Sequence, residues 1–248
     1  MEYGNVFYNL FRLGKWAFDS VNAAHAKANS PQAILARIAR LHCSHCQRTP
    51  RGDVYLRWEM VASIDGDPLL SCPFCAHYTR TSCAGDSAVS PEQALIAVRN
   101  TIESCARQLL TKCAPVSIGN EQWLAAAHRG DETMIACAIN AGMDLEAAAC
   151  TEGRVGYDAL RIAGRDGHET IVGLLLVSGA PHSKPNSNDE VPLHSVAWAN
   201  SVSCARLMIA WNARSDLRNQ AGWTPFELAA RLSHTRLVEV FRLHGIST

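Results

Sequence analysis

Four segments of the second half of the chain align without gaps: Trp123-Leu-Ala-Ala-Ala-His-Arg-Gly130, Leu160-Arg-Ile-Ala-Gly-Arg-Asp-Gly167, Leu193-His-Ser-Val-Ala-Trp-Ala-Asn200 and Phe226-Glu-Leu-Ala-Ala-Arg-Leu-Ser233. Their equivalent positions Ala126, Ala163, Val196 and Ala229 are 37, 33 and 33 residues apart. An apolar stretch follows each segment, at 134–141, 170–178, 204–211 and 237–244. Small residues let the first helix of each unit lie close to its partner, and the second helix supplies larger apolar groups. One such pair cannot bury its own apolar face, so neighbouring pairs must share a continuous core.

Working outward, the first half has a different character. The full chain of 248 residues is long enough for one large domain or two modest ones, and 48% hydrophobic with 19% charged residues is a globular balance. Lys+Arg and Asp+Glu both number 23. That equality gives no global support for gripping nucleic acid or an anionic membrane by charge. The first half is mildly basic and the second mildly acidic, which fits two modules. No apolar run reaches the roughly 20 residues needed to span a bilayer. The beginning of the sequence lacks the stages of a secretory signal, and the expectation is a soluble cytoplasmic protein. An aromatic-rich stretch from Tyr3 to about Lys27 has helical spacing through Phe7, Leu10, Phe11, Phe18 and Val21. It serves this protein's core, a partner or a membrane contact. Ser30-Pro31 and Ser90-Pro91 each open a further helix, the second running to about Lys112 with Gln93 placed for a capping box. Pro115 then breaks the chain, which puts a domain boundary near 114–119 and gives domains of 1–115 and 118–248.

Ten cysteines are present, and four of them form two close pairs, Cys43/Cys46 and Cys72/Cys75. Two thiolates separated by two residues curl around one ion, and two such knuckles complete a tetrahedral Zn2+ shell. Between them, Val54, Leu56, Trp58 and Met60 alternate with polar residues as in a half-buried strand, Ile64-Asp65-Gly66-Asp67 supplies a turn, and Leu69-Leu70 begins the return strand. With all four ligand positions filled by cysteine, one structural Zn2+ is expected rather than a catalytic site. His42, His45, His77 and Cys83 lie nearby as substitutes or surface residues. Cys105, Cys137 and Cys204 fall on helical apolar faces, and Cys83 and Cys150 have no local feature that would activate them.

The stretch at about 41–83 resembles a zinc ribbon. Residues 118–248 resemble ankyrin repeats: Gly222-Trp223-Thr224-Pro225-Phe226, Val191-Pro192-Leu193-His194, Gly167-His168 and Leu174-Leu175-Leu176-Val177-Ser178-Gly179-Ala180 match that family's pattern and its 33-residue period. The chain departs from the pattern at Trp123, at Asn200 and Ser233 in place of glycine, and in extra residues at about 147–155, which suggest an elongated finger. The expected fold class is therefore mostly α: an ankyrin-repeat solenoid of four helix pairs, preceded by a small α+β zinc-ribbon-like domain with flanking helices.

By this resemblance, a protein partner is captured on the concave face of fingertips and first helices. The candidate partner-binding residues are Tyr157, Glu190 and Trp223 at the tips, with Asn120 in the first repeat. His128, Arg129, Arg165, Asp166, Trp198 and Arg231 lie late in the first helices. No phosphate-binding glycine loop, nucleophile elbow or His-Glu-x-x-His is present. A non-enzymatic adaptor or inhibitor is expected, of which a bacterial toxin-neutralising immunity protein is a specialised form. The alternative is a nucleic-acid-associated regulator that binds through the zinc ribbon, where Arg48, Arg51, Arg57 and Arg80 supply charge and Tyr55 and Trp58 supply stacking surfaces.

Overall fold

A computed structural model describes residues 43, 45, 46, 59–65, 67–82, 85–151 and 154–247. The expected helices of the first 42 residues and the strand residues Val54 to Trp58 lie outside the described residues. The chain divides into two compact units, Met1–Thr101 and Ile102–Thr248.

In the first unit, β1 (Glu59–Ile64), β2 (Asp67–Ser71), β3 (Tyr78–Ser82) and β4 (Gly85–Val89) form an antiparallel sheet in sequence order. The β1–β2 hairpin closes with Ile64 opposite Asp67, and Asp65 takes a left-handed φ of 52° at the turn. Asp is one of the few residues that tolerate this conformation. Leu69, Leu70, Ser71 and Cys72 are buried on β2 and at its end, so the return strand delivers the second cysteine pair directly. The second hairpin, β3–β4, is absent from the sequence-based expectation. Its β-branched pair Thr79 and Thr81 is buried, which marks β3 as an interior strand.

Helix α1 (Pro91–Lys112) follows, and the Ser90 hydroxyl caps it by accepting a hydrogen bond from the Gln93 amide at 3.2 Å. The division between the two units falls inside this helix.

The second unit holds four helix pairs: α2 (Asn120–Arg129) with α3 (Glu132–Asn140), α4 (Ala159–Asp166) with α5 (Glu169–Val177), α6 (Pro192–Ala199) with α7 (Val202–Ala210), and α8 (Pro225–Arg231) with α9 (Thr235–Leu243). First helices pack on first helices and second on second along the stack. Ala126, Ala163, Val196 and Ala229 are all fully buried, as the aligned segments require. The first helices end on a left-handed residue, Gly130, Gly167, Asn200 or Ser233. The extra residues between the first two pairs form a hairpin of β5 (Ala148–Thr151) and β6 (Arg154–Asp158). Trp123, the departure from the usual leucine, is fully buried.

The end of α1 packs with this array. A Cβ added at Gly173 on α5 would stand 2.5 Å from Cγ2 of Ile102 on α1, so glycine there permits the two helices to touch. Asn140 on α3 donates to the carbonyls of Leu110 and Cys113, both at 2.7 Å, satisfying groups that a helix end leaves open. Gly173→Leu should therefore lower stability by about 1–3 kcal/mol through overpacking. Combined with Ile102→Ala, which opens space at the same point, the loss should fall short of the sum of the single losses. Denaturant unfolding of the three variants measures this, and strict additivity would disprove the contact.

Candidate functional site

Two constellations fall within the described residues, a thiol cluster in the first unit and an outward row of side chains on the repeats.

The cluster comprises Cys43, Cys46, Cys72 and Cys75, whose sulfurs all lie within 4.8 Å of one another. Cys43 Sγ is 3.5 Å from Cys75 Sγ, and Cys46 Sγ is 3.8 Å from Cys72 Sγ. A tetrahedral Zn2+ with Zn–S bonds of about 2.3 Å needs sulfurs about 3.8 Å apart, so the spacing fits that ion. The second knuckle is held open by backbone bonds: Cys72 N–H to the His77 carbonyl at 2.8 Å and Ala76 N–H to the Cys72 carbonyl at 3.1 Å. Ala76 adopts φ 62° to close the turn, and the Phe74 amide points at Cys72 Sγ at 3.4 Å. Burial pushes the Cys72 thiol up to about 11 and raises Cys75 further. Burial also acts on Cys43, but the Cys46 and His45 amides outweigh it and leave that thiol lowered. Four neighbouring sulfurs cannot all carry charge unaided, and a bound dication removes that conflict while displacing the protons. His45 and His77 stack with ring centroids 3.5 Å apart, and neither belongs to the four-ligand group. His42 and Cys83 lie outside the described residues.

On the repeats, the expected partner-binding residues occupy the fingers and the ends of the first helices. They differ in how far each is committed within the protein. Asp166 accepts from Arg165 Nε at 3.0 Å and pairs with His128 Nδ1 at 2.5 Å. Its partial burial raises the carboxyl, but these two partners outweigh the effect and hold it below the usual carboxylate range. Arg165 also lies 5.8 Å from the Tyr157 ring centroid. Arg231 stacks over Trp223 at 4.2 Å, which makes the half-buried Trp223 part of a guanidinium–aromatic pair. Glu190 is half-buried, receiving the Asn186 amide at 3.4 Å. Arg129 is exposed. Trp198 stands apart: it is 63% exposed, on the helix between Arg165/Asp166 and Arg231 in repeat order.

Beneath this row lies a polar layer that sequence reasoning did not locate. Asp158 caps α4 by accepting from the Arg161 amide at 2.8 Å and pairs with the Arg161 guanidinium. That guanidinium also donates to the carbonyls of Lys184 and Glu190, tying one finger to the next. Burial pushes the Asp158 carboxyl up against the pull of Arg161. His194 Nδ1 accepts from the Val191 amide at 3.2 Å, leaving Nε2 to donate to the Trp223 carbonyl at 2.9 Å. Both ring nitrogens are engaged in the neutral form, and burial lowers the His194 pKa.

Residues 160–247 match the family model for ankyrin repeats, in three copies. Over 98 residues the chain is 31% identical to the human (Homo sapiens) SH3 and multiple ankyrin repeat domains protein 2, covering 40% of this chain and 5% of that protein. Over 114 residues it is 28% identical to tyrosine-protein kinase HTK16 of Hydra vulgaris, covering 45% of this chain and 14% of that protein. The chain thus spans a small part of the length of these relatives. Ankyrin repeats suggest a protein-interaction role. No helix among the described residues is long and apolar enough to cross a membrane.

The buried His194 and the half-buried His244 give the repeats a route to acid sensitivity. Burial and the charge of Arg206 depress His244 to about 4, below the ordinary value near 6.5. A histidine with a depressed folded pKa contributes stability that is present above the unfolded value and lost as pH falls towards the folded one. The melting temperature should hold above pH 6.5 and decline between pH 6.5 and 4. His244→Gln should flatten that decline relative to the parent in the same buffers; parallel declines in the two proteins would refute the assignment.

Proposed function

We propose that the chain is a non-enzymatic binding protein, an adaptor or inhibitor, that captures a protein partner on the row formed by its fingers and first-helix ends. In this reading α2 and α3 are a fourth, divergent repeat ahead of the three matched copies. The observation that carries the proposal is Trp198, 63% exposed on the array's third first helix. A large aromatic left in water on a rigid helix is costly to keep and suited to anchor a partner, because few rotors are frozen on binding. Arg129, Arg165, Asp166, Arg231, Tyr157, Glu190, Trp223 and His128 surround it in the repeat order as a mixed polar rim. The nucleic-acid reading is disfavoured by Arg80, one of its four arginines, which is bonded to Asp67 at 2.9 Å and lies 3.4 Å from Asp65.

The Cys43, Cys46, Cys72 and Cys75 cluster is proposed to hold one structural Zn2+. The ion would supply four metal–thiolate bonds in place of a larger apolar core and no open ligand position for chemistry. Metal analysis of protein purified without added zinc should give about one equivalent per chain, and Cys43→Ser or Cys72→Ser should abolish it. Metal-free protein that retains the sheet in circular dichroism would refute the structural role.

For the binding face, a partner isolated from the native host with the intact chain should be purified and titrated calorimetrically. Trp198→Ala should cost about 2 kcal/mol or more, a roughly thirtyfold loss of affinity. Arg231→Ala should weaken binding in the same direction. Unchanged affinity in both variants, with binding lost on deleting residues 1–101, would move the site to the first unit.

A further inference from the structure

Fingertip and helix side chains pair in a repeated way along the array. Tyr157, Glu190 and Trp223 each stand two places before the first residue of α4, α6 and α8. Arg165, Trp198 and Arg231 are each the seventh residue of those helices. In two of the three repeats the pair is an aromatic ring with a guanidinium: Arg165 lies 5.8 Å from the Tyr157 ring centroid, and Arg231 lies 4.2 Å from that of Trp223. The repeat between them holds a ring, Trp198, and a carboxylate, Glu190, but no guanidinium at either place.

The backbone that carries Glu190 copies the one that carries Trp223. Asn186 and Asn219, four residues before each tip, accept the tip amide on the side-chain oxygen, at 2.9 and 3.0 Å. Their own amides donate to the tip carbonyl, again at 2.9 and 3.0 Å. Asp189 and Gly222 precede the tips with left-handed φ of 59° and 83°, and Val191 and Thr224 follow them in the same extended conformation. Residues 190 and 198 are therefore placed relative to each other as 223 and 231 are, with the ring now on the helix. Trp198 is 63% exposed. The Glu190 carboxylate receives the Asn186 side-chain amide at 3.4 Å, long for a hydrogen bond, and no Lys or Arg among the described residues pairs with it. The Arg161 guanidinium is engaged by Asp158 and by the carbonyls of Lys184 and Glu190.

We propose that the partner supplies the missing guanidinium: the protein segment captured on this face presents an arginine that lies flat over Trp198 and pairs with the Glu190 carboxylate. This rests on the capture reading above and names its anchor. A guanidinium suits both groups at once, because its weakly hydrated plane stacks on an indole while the N–H fork at its edge meets a carboxylate. A lysine ammonium is a compact, strongly hydrated charge without that fork. The neighbouring cations do not oppose the guest. Arg165 carries Asp166 at 3.0 Å. Arg231 belongs to the next helix pair, about 8–10 Å away at ordinary helix packing, where physiological salt screens the repulsion. Residues 118–248 hold fourteen Asp and Glu against eleven Lys and Arg, so a cationic segment meets no net repulsion on approach.

The test selects a displayed library of random peptides on the full chain, which requires no knowledge of the natural partner. Peptides enriched on the parent chain and not on Trp198→Ala should share an arginine. Their synthetic copies should lose affinity roughly tenfold when that arginine is changed to lysine, read by titration calorimetry. On Glu190→Gln, which keeps the shape of the tip, the arginine and lysine peptides should differ much less than on the parent. Both variants should melt with the parent, since the Trp198 ring is exposed and the glutamine can still meet Asn186. Peptides that depend on Trp198 but carry no arginine, or that accept lysine in its place, would overturn this proposal and leave the capture reading intact. An arginine preference unchanged in Glu190→Gln would overturn it as well. So would peptides indifferent to Trp198 or the absence of any enrichment, and the calorimetry with the native partner would then decide the capture reading by itself.

Discussion

A single helix pair of this array has too little apolar surface to fold against itself, and the stacking of each pair on the next is the contact on which the rest of the second unit depends. The stacking is close because the aligned inner positions are small, with Ala126, Ala163, Val196 and Ala229 fully shielded from water. Even a Cβ at Gly164 would meet Val196 at 2.8 Å. Polar groups at the ends of the helices are satisfied across the repeat boundary. His168 bonds to the His128 carbonyl at 2.9 Å, and His234 to the Ala197 carbonyl at 3.0 Å. Ser201 reaches the Arg165 carbonyl at 3.4 Å, a weaker bond from the equivalent place.

The same geometry explains which residues are free to vary. Every first helix must turn back through a left-handed residue, and glycine fills that place at Gly130 and Gly167 while Asn200 and Ser233 fill it later. Asparagine tolerates the conformation through its short polar side chain, whereas serine is strained there. The side chains at the fingertips and the outward ends of the first helices do not have to meet this backbone requirement.

The repeats were legible in the sequence because their signal is local and repeated: the period, the small inner residues and the Thr224-Pro225 start of α8, where Thr224 and Glu227 cap each other. The elongated finger was legible as surplus length between two aligned segments, and the cysteine pairs as spacing. What stayed hidden depends on contacts distant in sequence. Nothing around Gly173 announces that α1 will lie on it, because the residue it accommodates, Ile102, is an ordinary member of an apolar helical stripe. The β3–β4 hairpin was hidden for another reason, since Thr79 and Thr81 are polar residues buried as β-branched ones. Trp198 and Trp223 look alike as letters. Only the fold separates the one left in water from the one stacked beneath Arg231.

That separation bears on how the outward row could meet a partner. Asp166 carries its compensation with it, in the form of Arg165 and His128, so covering it buries an ion pair already formed. Glu227 below the last finger is likewise held by Arg218 and the Thr224 amide. Arg129 and Arg231 have no ion pair among the described residues, although Arg231 gains some stabilisation from the Trp223 ring. A guanidinium taken out of water without an acceptor costs several kcal/mol in a dry interface. The cationic ends of the row therefore have to stay wet or be met by acceptors, while the Trp198 ring gains by being covered. In the proposed reading, selectivity would come from the two ends of the row and affinity from its middle.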